Sequence, residues 1–174
     1  MLAYHKYFSH LDGDTAYLAG VIPQCALHHL SDILPRYWAL EADVFKTDIS
    51  GINDAINKRI GEYLAVNNPK KFEVPDKLEL ELNRVSGDLH SVVSDLFDRY
   101  KASHVDDEKI RLETFTKALK FQLGGEIKGI YVADDNMDDR TRDAFGWFYT
   151  YIIFELVFIE YEDYVVMLVF GSDE

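Results

Sequence analysis

The sequence predicts an α+β fold, with an N-terminal bundle of four to five helices packed on a small antiparallel sheet that includes a C-terminal hairpin. Three observations predict it. Apolar residues recur at three- and four-residue steps over about residues 24–123, the spacing of one helix face. Gly124-Gly125 then closes the helical region. Beyond it, over about 127–171, eleven of the thirteen residues from Trp147 to Ile159 are aromatic or β-branched, the types that suit a pleated, half-buried surface.

The first 22 residues allow two readings. AYHKYF (3–8) and AYLAGVI (16–22) are either short strands around LDGD or parts of a first helix, with Asp14 or Thr15 as a cap. From Gln24, the positions Leu27, Leu30, Ile33 and Leu34 mark a helix that Pro35 kinks or ends. RYWALEADVF (36–45) continues it as a second helical segment. Asp48 or Ser50 caps the next helix, whose stripe is Ile49, Ile52, Ile56, Ile60 and Leu64, and Asn67-Asn68-Pro69 stops it. Pro75-Asp76 opens a long helix through Leu78, Leu82, Val85, Leu89, Val92, Leu96 and Tyr100, interrupted by Gly87. Asp106 or Asp107 caps a further helix through Ile110, Phe115, Leu119 and Gln122.

After the glycine pair, IKGIYVA (127–133) reads as a strand and DDNMDDRTRD (134–143) as a charged loop or short helix. WFYTYIIFELVFIEYEDYVVMLVFG (147–171) reads as two strands joined at a Glu-Asp turn. Its even positions, Phe148 to Phe158, are nearly all apolar and should meet the helical core. The returning strand, Tyr164 to Phe170, is apolar on both faces, so this sheet needs cover on two sides, from helices or from a partner.

With 174 residues and 48% hydrophobic content, the chain can bury one core as a single domain, 1–174. A net charge of −13 opposes binding to nucleic acid or to anionic membranes, both of which require clustered bases. Cys25 is the only cysteine, so no internal disulfide can form, and the thiol reads as a small core residue. Glu155, Glu160, Glu162 and Asp163 break the apolar C-terminal run before it reaches the length of a membrane span. No charged leader with an apolar core opens the chain, and a cytoplasmic protein is the expectation.

Candidate chemistry is sparse. DDNMDD (134–139) resembles the DDxxD magnesium site of terpenoid synthases, but the second metal motif of that family is missing. As a calcium loop it fails at its sixth position, Asp139 in place of glycine, and at its twelfth, Phe145 in place of glutamate. His28 and Asp32 lie one helical turn apart without a third ligand nominated by spacing, and Cys25 with His28 or His29 has no mark of activation. LDGDT (11–15) resembles the DxDx[TV] loop of haloacid-dehalogenase-type phosphatases with the threonine one position early, and reads as a turn. Phosphate-cradling glycine loops are absent. No metal, cofactor or catalytic residue is expected.

Charge is distributed unevenly. From Asp134 to Glu174, eleven acids face only Arg140 and Arg142, a net of −9. Tyrosine beside carboxylate suits an interface, since the ring supplies contact area and the acid pairs with a partner's Lys or Arg. The expected partner surface is therefore Asp134, Asp135, Asp138, Asp139, Tyr149, Tyr151, Glu155, Glu160, Tyr161, Glu162, Asp163, Asp173 and Glu174.

In size, acidity and its C-terminal acidic-aromatic hairpin, the chain resembles the immunity proteins of bacterial toxin–immunity pairs, including those of contact-dependent inhibition. That resemblance of overall character implies a one-to-one complex with the C-terminal domain of a cognate toxin, a basic nuclease whose active site the acidic protein occludes. Two alternatives come from the residues themselves. One is a metal-dependent hydrolase or lyase using Asp134, Asp135, Asp138 and Asp139, or His28 with Asp32. The other is a homo-oligomeric adaptor, such as a homodimer, that covers its apolar strand with a second copy.

Overall fold

The computed structural model describes residues 11–67, 77–100 and 104–172. AYHKYF, Pro69, Pro75-Asp76, Asp173 and Glu174 lie outside them. In chain order the elements are α1 (Gly13–Leu30), β1 (Trp38–Phe45), α2 (Ile52–Asn67), β2 (Leu82–Val85), α3 (Leu89–Arg99), α4 (Glu108–Leu123), β3 (Gly129–Ala133), α5 (Asp139–Tyr149), β4 (Ile153–Glu160) and β5 (Val165–Ser172). The strands form one sheet in the order β1-β5-β4-β3-β2, and every neighbouring pair is antiparallel. The fold is α+β, as expected, but strands interrupt the N-terminal helices and one helix lies between β3 and β4.

Period-two alternation along β4 and β5 builds both layers. Val157, Ile159, Val166, Leu168 and Phe170 face a core with residues of α1, α3 and α4. Leu156, Phe158, Val165, Met167 and Val169 face a second core with residues of α2 and α5. Helices therefore supply both covers of the doubly apolar hairpin. The even positions of β4 meet the α2–α5 layer, while the odd ones meet the larger helical layer.

Four expected boundaries move, each for a local reason. α1 runs as one helix from an Asp12 cap, whose carboxylate accepts from Thr15 N, and continues through Pro23. The expected second helical segment over 36–45 is instead the strand β1. Trp38, Leu40, Ala42 and Val44 belong to the core with α1, and Phe45 to the core with α2, which is strand alternation. Eight register pairs with β5 satisfy this segment's backbone.

Of the expected long helix from Pro75 to Tyr100, the described part is helical only over Leu89–Arg99; Leu82–Val85 is the strand β2, and the residues just before it are extended. Leu78 and Leu80 are buried in alternation with exposed Glu79 and Glu81, and two asparagines of α2 strap this stretch down. Asn57 bonds both the N–H and the C=O of Leu78, and Asn53 does the same for Leu80, each side-chain amide standing in for a neighbouring strand. Gly87, at φ +136, turns the chain, and Asp88 then caps α3 by accepting from Ser91 N.

Finally, Trp147–Tyr149 form the last turn of α5 rather than the start of a strand. Asp138 caps this helix by accepting from Arg140 N and Thr141 N, and Ala144, Phe145 and Tyr149 fall on its buried face. Thr150, at φ 64, ends it in the left-handed region before β4 begins.

Candidate functional site: the open end of the sheet

The β4–β5 hairpin has a closed end, where Glu160 pairs with Val165 at the bend, and an open end, where Ile153 pairs with Ser172 and Ser172 with Trp38. Seven residue steps separate the ends, roughly 24 Å of strand. The expected partner surface is divided between them. Asp134, Asp135, Asp138 and Asp139 lie on or after the loop leaving β3, beside the open end. Glu162 and Asp163 are exposed at the closed end. The two groups do not form one contiguous patch.

Four of the expected contact residues are interior instead. Tyr149 is 2% exposed, and its hydroxyl donates to Asp43 Oδ2 at 3.3 Å. Tyr161 is fully buried, and its hydroxyl has no hydrogen-bond partner among the described residues. Glu155 and Glu160 are 6% and 9% exposed. Tyr151 is half-buried, with its ring lying where a Cβ on Gly171 would fall and its hydroxyl directed at Glu41 Oε1, 3.4 Å away. Tyr149 and Tyr161 lie outside the strands, on the last turn of α5 and at the bend, and Glu155 and Glu160 are met by groups from segments distant in sequence, which no local pattern predicts.

The buried acids hold the structure together. Glu160 accepts from Ile49 N at 3.1 Å and from the Tyr131 hydroxyl at 3.0 Å, tying β4 to the turn before α2 and to β3. Asp43 is ion-paired to Arg59, whose guanidinium also lies 4.1 Å from the Phe45 ring centroid. Burial raises the Asp43 carboxyl, with Arg59 and the Tyr149 hydroxyl opposing.

At the open end, the last turn of α3 delivers Arg99 and Tyr100 to the first residues of β4. The Tyr100 hydroxyl donates to Glu155 Oε1 at 2.6 Å, and Arg99 lies 3.4 Å from Glu155 Oε2 and 3.6 Å from Asp135. Burial, reinforced by the Glu155 carboxylate, pushes the Tyr100 phenol far above its ordinary value, so it remains a donor. Its ring tilts against Trp38 with centroids 4.7 Å apart. A cavity of about 170 Å³ is lined by Tyr100, Asp134, Asp135, Ile152, Ile153 and Glu155.

This end exposes apolar surface. Of the nine large hydrophobic residues exposed among the described residues, four are here: Tyr37 at 57%, Tyr100, Ile152 at 74% and Ile153. Tyr37 and Thr150, the two non-glycine residues with positive φ among the described residues, flank the same end. A left-handed backbone at a bulky side chain costs of order 1–3 kcal/mol and concentrates at functional sites.

The DDNMDD carboxylates are used locally. Asp134 accepts from Asn136 N at 2.8 Å and from Asn83, and the backbone bond holds its carboxyl below the ordinary range. Asp138 caps α5. Among the described residues, no group of three or more His, Cys, Asp or Glu side chains is placed to hold a metal ion. Asp32 pairs with Arg111 at 3.0 Å while His28 packs edge-on against His29, so the alternative that joins His28 with Asp32 has no such pair among the described contacts. Cys25 is half-buried, and burial raises its thiol, the opposite of an activated thiolate.

A larger cleft of about 750 Å³ lies between the β2–α3 turn, α4 and the start of β3. Its charged lining mixes Arg84, Lys117 and Lys128 with Asp88 and Glu113, and Lys128 is held by Glu162 at 2.7 Å. It provides volume without a convergent set of charges. No helix among the described residues is long and apolar enough to cross a membrane. Comparison of the chain with protein-family models, with characterised proteins and with solved structures finds no match.

Proposed function

We propose that this chain is a protein-binding inhibitor of the toxin-immunity kind, which acts in the cytoplasm and recognises a basic partner through the open end of its sheet. The observation that carries the reading is the grouping of the exposed Tyr100, Ile152 and Ile153 with Asp134 and Asp135 around one cavity, with the exposed Tyr37 next in the chain to Trp38, against which Tyr100 packs. Exposed apolar clusters rimmed by charge mark interaction sites, and buried aromatic anchors dominate binding energy. A net charge of −13 repels nucleic acid and draws basic proteins, accelerating their encounter. A toxin nuclease must carry bases to hold phosphates, so an acidic surface covering them would occlude its active site. No bond is made or broken in this mechanism. The inhibitor acts by occupancy, and its potency is set by slow dissociation.

The test is co-purification with the polypeptide encoded beside this reading frame, followed by titration of its basic C-terminal domain. A one-to-one complex that protects cells from that domain, and that weakens on Tyr100→Ala together with Ile152→Asp, is expected. A complex of undiminished affinity in that double variant would remove the open end as the binding surface, and failure to bind the neighbouring product would remove the immunity reading.

A further inference from the structure

We propose that His104, as an imidazolium, is a pH-sensitive clip between the last turn of α3 and the first turn of α4, and that its protonation sets how firmly Arg99 and Tyr100 are held at the open end. The consequence for binding rests on the function proposed above, whereas the clip itself does not.

The geometry identifies the charge state. His104 Nε2 lies 3.0 Å from Asp98 Oδ1 on α3, and Nδ1 lies 2.9 Å from Glu108 Oε2 on α4. A neutral imidazole carries one N–H, so it can donate to one of these carboxylates but must turn a lone pair toward the other. With both carboxylates ionised, only the doubly protonated ring makes both bonds. Glu108 is 3% exposed and is held further by Ser94 Oγ at 2.7 Å, with His90 Nε2 3.7 Å away on the same carboxylate. His90 also lies 3.3 Å from Ser94 Oγ. From α3, then, Asp98, Ser94 and His90 face this cluster. From α4, Glu108 does, and the Phe97 ring closes one side at 6.4 Å from the imidazole.

The clip reaches the open end through the backbone. The Tyr100 N–H bonds to the carbonyl of Asp98, the residue whose side chain takes the Nε2 proton. When one imidazolium bond is lost, Asp98 loses its tether to α4 and the end of α3 loosens beside Glu155 and Trp38. The Asp98 bond, followed by the Glu108 bond, raises the proton affinity of His104 above that of an ordinary histidine. With the folded midpoint above the unfolded one, the contribution to stability is fully present below the ordinary histidine range. It is lost as pH rises through the folded midpoint.

The experiment uses the isolated chain. Nuclear magnetic resonance titration of the imidazole should place the His104 midpoint above that of an ordinary histidine, and Asp98→Asn should lower it. Across that midpoint, the amide protection factor of Tyr100 should fall roughly twofold or more, the size expected for one partly exposed charge-assisted bond. In Asp98→Asn or His104→Ala that step should vanish. A His104 midpoint at or below the ordinary value, or Tyr100 protection that is flat through the titration, would overturn the clip. No partner is needed, so failure here leaves the binding proposal intact, and failure to find a partner leaves the clip intact.

Discussion

The two ends of the β4–β5 hairpin carry similar residues, acids interleaved with tyrosines, and use them differently. At the closed end, Glu160 and Tyr161 are interior, and Glu160 satisfies a backbone N–H before α2 and a hydroxyl on β3. At the open end, Asp135, Tyr100 and Ile152 face outward, and the buried Glu155 keeps Tyr100 and Arg99 in place from behind. The difference comes from what lies above each end. The turn before α2 bonds Glu160, whereas the open end is met, among the described residues, by the last turn of α3, the loop after β3 and the end of α5. Acidity alone therefore does not define an interface, because the buried Glu160 and Glu155 act as brackets, whereas Asp135, although ion-paired with Arg99, is exposed.

Removing the bracket should have the largest effect. Glu160→Ala leaves the Ile49 N–H and the Tyr131 hydroxyl without their acceptor, and unmet buried donors cost about 1–3 kcal/mol. Urea unfolding should show that loss with an unchanged slope, and binding by the folded fraction should be intact. A cost below about 0.5 kcal/mol would break the comparison from the closed side.

Tyr100→Ala should do the reverse. As an anchor packed at a tilt against Trp38 it should cost about 2 kcal/mol of binding, roughly thirtyfold in Kd, toward the neighbouring gene product. Stability should fall by only about 1 kcal/mol from the lost bond to Glu155. Tyr100→Phe separates the two effects, since it retains the ring and removes the hydroxyl. An affinity loss in Tyr100→Phe equal to that of Tyr100→Ala would show that Glu155, rather than the aromatic surface, governs recognition.

Charge reversal at Asp135 and Asp139 should come next. Asp134 is a poorer probe because its carboxylate holds the loop through Asn136 and Asn83. Replacing Asp135 and Asp139 by lysine should slow association with a basic partner by about tenfold at low salt, with the difference closing near 1 M salt where screening is strong. Stopped-flow association at two ionic strengths reads this directly. An effect confined to dissociation would mean that these acids are desolvated contacts rather than steering charges.

Much of the fold was legible in the chain, whereas the division between the two ends was not, and the unread part has a physical cause. The α2 stripe, the Asp48 cap, the strand at 129–133 and the β4–β5 pairing follow from local pattern, because there the period and the turn chemistry agree. The strand β1 was hidden because WALEADVF satisfies a helical stripe as well as it satisfies alternation. Only the β5 edge, more than a hundred residues away in sequence, decides between them. The stretch at 78–85 was hidden for a similar reason, since Leu78, Leu82, Val85 and Leu89 sit at helical steps. The asparagines that hold it extended are on α2. At the candidate site, the acids of 134–139 are visible as charge, but the spacing places Tyr100 and Trp38 on helices. Their meeting is tertiary, and the one sequence hint is a large aromatic at the polar end of each segment.

The smallest effect is the sharpest control. Glu162 at the closed end is exposed and bonded to Lys128 at 2.7 Å, with the lysine half exposed as well. Such a pair contributes about 0–1 kcal/mol, so Glu162→Gln should leave unfolding within about 0.5 kcal/mol of the parent chain. If the open end alone is the interface, Glu162→Gln should leave the partner's Kd unchanged too, although Glu162 and Asp135 carry the same charge and similar exposure. Equal loss of affinity from Glu162→Gln and from Asp135→Asn, measured by calorimetry at one ionic strength, would show that recognition follows the net acidity of the hairpin. Loss from Asp135→Asn alone would show that it follows the uncovered aromatic end, where charge and apolar surface coincide.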